Sequence, residues 1–482
     1  MRVFALLLPF VVTLLSTACS GGGGAEGATP ANDAGVPPGT EGGIDESGEF
    51  GPGFLYGSLG NDGALAVRVA PDGSVYVGGG SNGDIAQGTP LGGDSDGFVS
   101  RIAPNGKVAW TRLLTSTYRD GVTGLTLHPD GGVIATTGSS GGTVTVGSVT
   151  RIDREGKILW SRSMAPVTPL SAMVTKEGRI FVAGYAFRYE TRNASSPLLG
   201  APFEPVVVSS TDGALLELGA DGSPIRGRLF AWRLADQPAN TDLHAFNTFA
   251  ESIVPIPGTN SVYVAGVQQD TAGTPLLSGW LRRVELDTLE TTWLRFFNAG
   301  GVAPSIEDKY APTTKSSLAL EVCVDAKGRA RTAWSQLDGG VLVALTSAVD
   351  ANGAEVSRSR IEALAPVGDP QASVSIACHP DRDEAVMVVG LRAPVNLDTS
   401  FQGVLVRLDG AGKVLGRHRP SVTPYPGLSS ADAKVMSVAY GAKGIFFVGE
   451  AAGTYQGTTA LRNTVAGALL TDVLVGRVDD GF

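Results

Sequence analysis

Residues 106–112 read "GKVAWTR", and residues 156–162 read "GKILWSR". In each copy a glycine follows a polar residue, Asn105 or Glu155, and a tryptophan stands four residues after the glycine. A polar-glycine step between two runs rich in β-branched residues is a hairpin signal, because glycine accepts the positive φ that a tight turn demands. Reading backward completes the hairpins as "GFVSRIAPNGKVAWTRLL" (97–114) and "GSVTRIDREGKILWSRSM" (147–164), with a third in "GALLELGADGSPIRGRLFAW" (213–232).

A different hairpin precedes each of these: "LAVRVAPDGSVYVGG" (65–79), "TGLTLHPDGGVIATTG" (123–138) and "LSAMVTKEGRIFVAG" (170–184). Two hairpins in succession predict one four-stranded antiparallel sheet. Weaker first hairpins recur at 251–266, 318–334, 374–390 and 435–449, and second hairpins at 279–297, 341–360 and 403–419. The seventh unit stops after the start of its second hairpin, "TDVLVGRVDDGF". Phe54-Leu55-Tyr56, which has no hairpin partner of its own, is the strand left over. Repeats of about 40–60 residues with four strands each signify a β-propeller. The expected fold is therefore all-β, a seven-bladed β-propeller over 52–482, its ring closed by an N-terminal strand near Phe54 so that no sheet edge stays open. The wide interval between the turns at Glu177 and Thr259 holds one further hairpin plus polar stretches, and reads as insertion and not as an eighth blade.

Composition agrees with this reading. The 66 glycines and 28 prolines beside only 17% charged residues describe a turn-rich β chain. A net charge of −10 with no cluster of Lys and Arg excludes a nucleic-acid footprint. Residues 1–18 read as a signal peptide: Arg2, then the apolar "VFALLLPFVVTLL", then "STA" before Cys19. This resembles the lipobox of bacterial lipoproteins, with Ser16 where leucine is usual. Lipidation of Cys19 is expected. Residues 19–51 hold almost nothing apolar and read as a flexible tether.

The first unit, "YGSLGNDGALAVRVAPDGSVYVGGG" through "GDSDGFVSRIAPNGKVAWTRLL", resembles the bacterial propeller repeat of secreted and surface proteins. "RIDREGKILWSR" is similar to the tryptophan-docking strand of quinoprotein-like propellers, a group that includes the lipoprotein of the outer-membrane barrel assembly machinery. The resemblance implies fold more than function.

Catalytic patterns dissolve under the repeat. Gly79-Gly-Ser81-Asn-Gly83 fits a nucleophile elbow, but Gly138-Ser-Ser140-Gly-Gly142 occupies the same place one unit on, where no helix follows. Gly78, Gly80 and Gly83 match a dinucleotide fingerprint with no helix behind it. His128, His244, His379 and His418 are scattered, and the "HPD" shared by His128 and His379 marks a turn. Asp94 and Asp96 are spaced as in a calcium loop that lacks its remaining ligands. Cys323 and Cys378 sit at matching points of two first strands, and rotational equivalence predicts two buried free thiols. Trp110, Trp160, Trp232 and Trp293, with Phe54 in the closing strand, are expected to wedge each blade against the next.

No catalytic, metal or cofactor residue is assigned, and no cofactor is expected. The reading is a non-catalytic cell-envelope binding or scaffold module, not an enzyme. It would be monomeric, meeting a protein or glycan partner through rim loops at 188–211, 235–248 and 298–316, and touching the membrane through its lipid alone. It would be exported to the outer membrane on its periplasmic or surface face, or secreted if unlipidated. The alternative is a propeller enzyme, quinone-dependent or carbohydrate-active, or an outer-membrane assembly factor.

Overall fold

A computed structural model of the chain describes residues 49–117, 119–140, 147–187, 211–230, 246–270, 277–297, 317–338, 341–366, 374–395, 398–424, 432–456, 458–459 and 471–482. Cys19, His244, Trp232 and almost all of the three candidate loop stretches lie outside these residues. Seven sheets of four antiparallel strands form the ring, each running from an inner strand to an outer one. Blade 1 comprises Asp62–Val69, Val75–Ser81, Asp96–Ile102 and Val108–Leu114. The expected missing strand of blade 7 is supplied by Gly53–Tyr56, which pairs with Asp472–Val478 in the register Gly53 to Gly476 and Tyr56 to Val473.

Burial follows position in the blade. A second strand has neighbouring blades against both faces, so Val75–Ser81 is buried throughout. An outer strand has one covered face, and Val108–Leu114 carries both exposed and half-buried residues. The core is thus a series of wedges between blades. In the closing wedge Phe54 packs with Val67, Val75 and Phe98 of blade 1 and with Phe446, Val473 and Val475 of blade 7. Phe50, also buried, meets Phe54 and Phe446 at ring distances of 5.8 and 5.2 Å.

The tryptophans lock the outer rim by a repeated contact. Trp110 donates its indole N–H to the Arg154 carbonyl at 2.9 Å, Trp160 to Ala220 at 2.8 Å, and Trp293 to Ala351 at 2.9 Å. Each acceptor lies in the outer turn of the next blade, and the indole lies against that turn's glycine. At Gly156, whose φ is +86°, an added Cβ would come within 2.7 Å of the Trp110 ring. In blade 3 the same place belongs to Arg226, which donates to the Leu286 carbonyl at 2.6 Å and to the Asp287 carbonyl. Phe54 does not take this place in the closing strand. It faces Val475, as Arg112 faces Val99, and Pro52 comes opposite Arg477 where a tryptophan would stand.

The two thiols are bridged, correcting the expectation of free cysteines: Cys323 and Cys378 form a disulfide with Cα atoms 5.6 Å apart. The two positions are offset by one residue. Asp325 and His379 are equivalent, each donating its N–H across the first turn to the carbonyl of Arg329 or Glu384. Cys323 therefore stands two residues before the turn and Cys378 one. Because strand side chains alternate, the one-residue offset turns the two sulfurs toward each other. The inner strands also converge near the axis, well inside the 10 Å spacing of sheet faces. Blades 5 and 6 are stitched a second time by the fully buried Arg331, which reaches Asp325 at 3.3 Å and Asp383 at 3.2 Å.

Candidate active site in the central channel

Inner strands of neighbouring blades lie side by side without forming a ladder, so side chains must join them. Between blades 2 and 3 hydroxyls do this: Thr123 donates to the Pro169 carbonyl at 3.3 Å and Thr136 to the Leu170 carbonyl at 3.2 Å. Between blades 4, 5 and 6 the joining groups include carboxylates. Glu251 accepts the Leu320 N–H at 2.9 Å, and Glu321 accepts the Ile376 N–H at 2.8 Å.

Register shows how unusual these two glutamates are. Glu251 is the extra residue of a β-bulge between Ala250 and Ser252, the position held by Leu65, Thr123, Leu170 and Met436 in blades 1, 2, 3 and 7. Glu321 occupies the place of Ser171, Ser252, Ser375 and Ser437. A serine suffices for the inter-blade bond, as Ser252 accepting the Val322 N–H shows. A full carboxylate there exceeds what the joint requires. A single N–H bond also leaves a carboxylate with acceptor capacity to spare. Bulges recur where a side chain must be re-aimed at a site.

A cation completes the group. Arg68, on the inner strand of blade 1, donates to the Val67 carbonyl at 2.7 Å and lies within electrostatic range of Glu321 from across the ring. All three residues lie on inner strands and are half-buried. Burial raises the Glu251 pKa, against the pull of the Leu320 N–H and with the help of the Glu321 charge, to about 7. Burial raises Glu321 as well, and the Ser375 hydroxyl, Arg68 and the Ile376 N–H oppose that rise. Burial lowers Arg68, and the Glu321 charge opposes that fall without cancelling it. The channel thus holds one carboxyl that exchanges a proton near neutrality, a second carboxyl that burial also raises, and a guanidinium that opposes that rise. Two carboxyls beside a guanidinium are the kind of groups from which acid and base roles are drawn.

The residues singled out in the sequence stand elsewhere. Ser81 ends a strand and donates its hydroxyl to the Gly83 carbonyl at 2.9 Å, a turn contact. Asp96 is buried, its oxygens accepting the Gly92 and Ser116 N–H groups at 2.7 and 3.2 Å, while Asp94 is exposed. His379 accepts the Asp381 and Arg382 N–H groups within its turn, both at 3.0 Å. His128 is held in the matching turn by Asp130 and Arg151. None of these reaches the channel trio. The missed signal was available: the seven first hairpins, aligned on their turns, put Glu251 and Glu321 in columns of aliphatic and hydroxyl residues.

No family model matches the sequence, and no curated protein does. Solved structures similar to it are propellers of other kinds. An ulvan lyase, described as a new family of polysaccharide lyase, shares 11% identity with a TM-score of 0.45, over 87% of this chain and 98% of its own. Raptor of Chaetomium thermophilum shares 10% at a TM-score of 0.45, over 89% of this chain and 29% of its own. The polysaccharide lyase Uly1 shares 9% at 0.38, over 74% and 90%. The chain is a seven-bladed β-propeller. The expectation that it is not an enzyme is not upheld: its own channel gathers two carboxyls and a guanidinium.

Proposed function

We propose that the protein is a carbohydrate-active propeller enzyme that cleaves a polysaccharide by proton transfer in its central channel. The observation that carries the reading is Glu251, a bulge residue whose carboxyl is held at about 7 beside a second carboxylate. In this scheme protonated Glu251 donates its proton to the departing glycosidic oxygen. Glu321, beside the Arg68 guanidinium, supports the positive charge developing at the sugar carbon and takes the proton of the water that completes hydrolysis. This two-carboxylate division suits glycosidic bonds because the leaving alkoxide needs a proton and the sugar cation needs a counter-charge. Polysaccharide is also the substrate class named for two of the similar structures.

The same proposal keeps the protein at the cell envelope, exported and anchored through Cys19. A disulfide supports work in an oxidising compartment. The test is incubation of the purified protein with neutral and acidic polysaccharides, following new reducing ends. Glu251→Gln and Glu321→Gln should each lower the rate at least ~100-fold with the midpoint of unfolding retained. No cleavage of any polysaccharide by the wild-type protein, or full activity in Glu251→Gln, would end the proposal.

A further inference from the structure

Four described arginines lie over aromatic rings, Arg112, Arg179, Arg282 and Arg358, and two of them have a carboxylate. Arg179 stacks on Phe181 at 5.0 Å and pairs with Glu217 at 2.8 Å. Arg358 stacks on Trp334 at 5.6 Å and pairs with Glu355 at 2.6 Å. Arg282 stacks on both Phe230 and Trp280, at 4.8 and 5.3 Å, yet no carboxylate among the described residues is within ion-pair reach. Its hydrogen bond is a long one, Nη1 to the Thr291 hydroxyl at 3.4 Å. Its Nε is buried without a partner, and so is the indole Nε1 of Trp280.

These side chains meet at one interface, between blades 3 and 4. Trp280 and Arg282, two residues apart on the third strand of blade 4 (Leu277–Glu285), face the same way. Opposite them, Arg228 and Phe230 are two apart on the outer strand of blade 3 (Pro224–Phe230), with the Phe230 ring 5.9 Å from that of Trp280. Arg228 is exposed and also has no described carboxylate partner. Burial, and then repulsion from Arg228, lower the Arg282 pKa to about 10. Two like charges at one interface, with buried donors unfilled, are a receptor for something negative.

We propose that the interface between blades 3 and 4 is an anion-binding site, in which Arg282 and Arg228 take an oxyanion, a carboxylate or sulfate of the kind an acidic polysaccharide carries. The rings of Phe230 and Trp280 cover the face of the Arg282 guanidinium and leave its edge, where the N–H groups point, for the ligand. Arg228, on the solvent side, closes over the second oxygen. The site does not depend on the chemistry assigned to the channel.

The experiment is calorimetric and tryptophan-fluorescence titration of the full protein with sodium sulfate and with sodium glucuronate, against sodium chloride at matched ionic strength. Saturable binding of either anion beyond chloride is expected, and the tighter of the two names the group. Arg228→Gln should weaken it about tenfold, the loss of one charge-assisted bond. Arg282→Met, which keeps the stem's packing, should abolish it. Should Arg282→Met not fold, the exposed Arg228→Gln carries the test. Glu251→Gln, outside this site, leaves binding unchanged and so separates it from the channel. No saturable signal beyond chloride, or equal affinity in wild type and Arg228→Gln, overturns the proposal.

Discussion

Replacing Gly156 by alanine tests whether the rim is locked by ring against turn. Two costs arise at once. The φ of +86° at Gly156 charges an L-residue about 1–2 kcal/mol wherever it occurs. The new Cβ would also sit 2.7 Å from the Trp110 indole, whose Cγ and Cε2 are scarcely farther at 2.8 and 3.0 Å. That is overpacking against a rigid ring, worth about 1–3 kcal/mol. The sum is about 2–5 kcal/mol. Trp110→Ala alone removes a half-buried indole and its bond to the Arg154 carbonyl, about 2 kcal/mol when the usual tryptophan truncation cost is discounted for exposure. In the Trp110→Ala background the clash is gone, so Gly156→Ala should cost only its φ share. Urea unfolding of the wild type, both single variants and the double variant gives the coupling directly. A cost for Gly156→Ala that is the same in both backgrounds would refute the docking argument.

Other expectations concern cross-links, protons and closure. Reduction, or Cys323→Ser with Cys378→Ser, frees a loop of sequence separation 55 and should destabilise by about 4 kcal/mol, read as a lower denaturant midpoint; an unchanged midpoint would count against the bridge. Burial raises Asp62 and Asp120 from 3.8 to about 6, so the folded state binds extra protons between those values. Stability is then full below the lower value and falls as pH rises toward 6, by at most about 3 kcal/mol per group. Asp62→Asn and Asp120→Asn should flatten that fall in thermal midpoints, and a wild-type midpoint that climbs through the window would contradict the assignment. Deleting residues 49–56 bares the edge of Asp472–Val478 and should convert monomer to aggregate on size exclusion.

Much of the architecture is written in short-range signals. Asp-Gly and Asn-Gly turns, the recurring tryptophan and the solitary Phe54 strand each depend on neighbouring residues, and they lead to seven blades and the closing strand. What needed register stayed hidden. Cys323 and Cys378 differ by one place relative to their turns, an offset set by the longer "HPDRDE" turn of blade 6, and one place reverses the direction of a side chain. Glu251 looked like the polar start of a hairpin, since a bulge leaves no mark in a single strand. Its meaning depends on the residues in the same place in other blades and on Glu321 one strand away. Arg228 and Arg282 lie in different blades, and nothing between them in the chain announces that they share an interface.

The closing strand has a bearing on how the molecule is made. Gly53 faces Gly476, so the first of the described strands to be made pairs with the last of them. Until that final segment arrives the growing sheet has an unsatisfied edge at each end, and the first strand waits without a partner. Contacts of such long sequence separation are slow to form and keep apolar surface exposed meanwhile. A chain cut short anywhere before Asp472 can build blades but cannot join them into a circle. The seam therefore makes closure depend on chain length: only a copy that extends through Asp472–Val478 pairs the Phe54 strand and conceals both edges, and a copy cut short of it stays open to proteases.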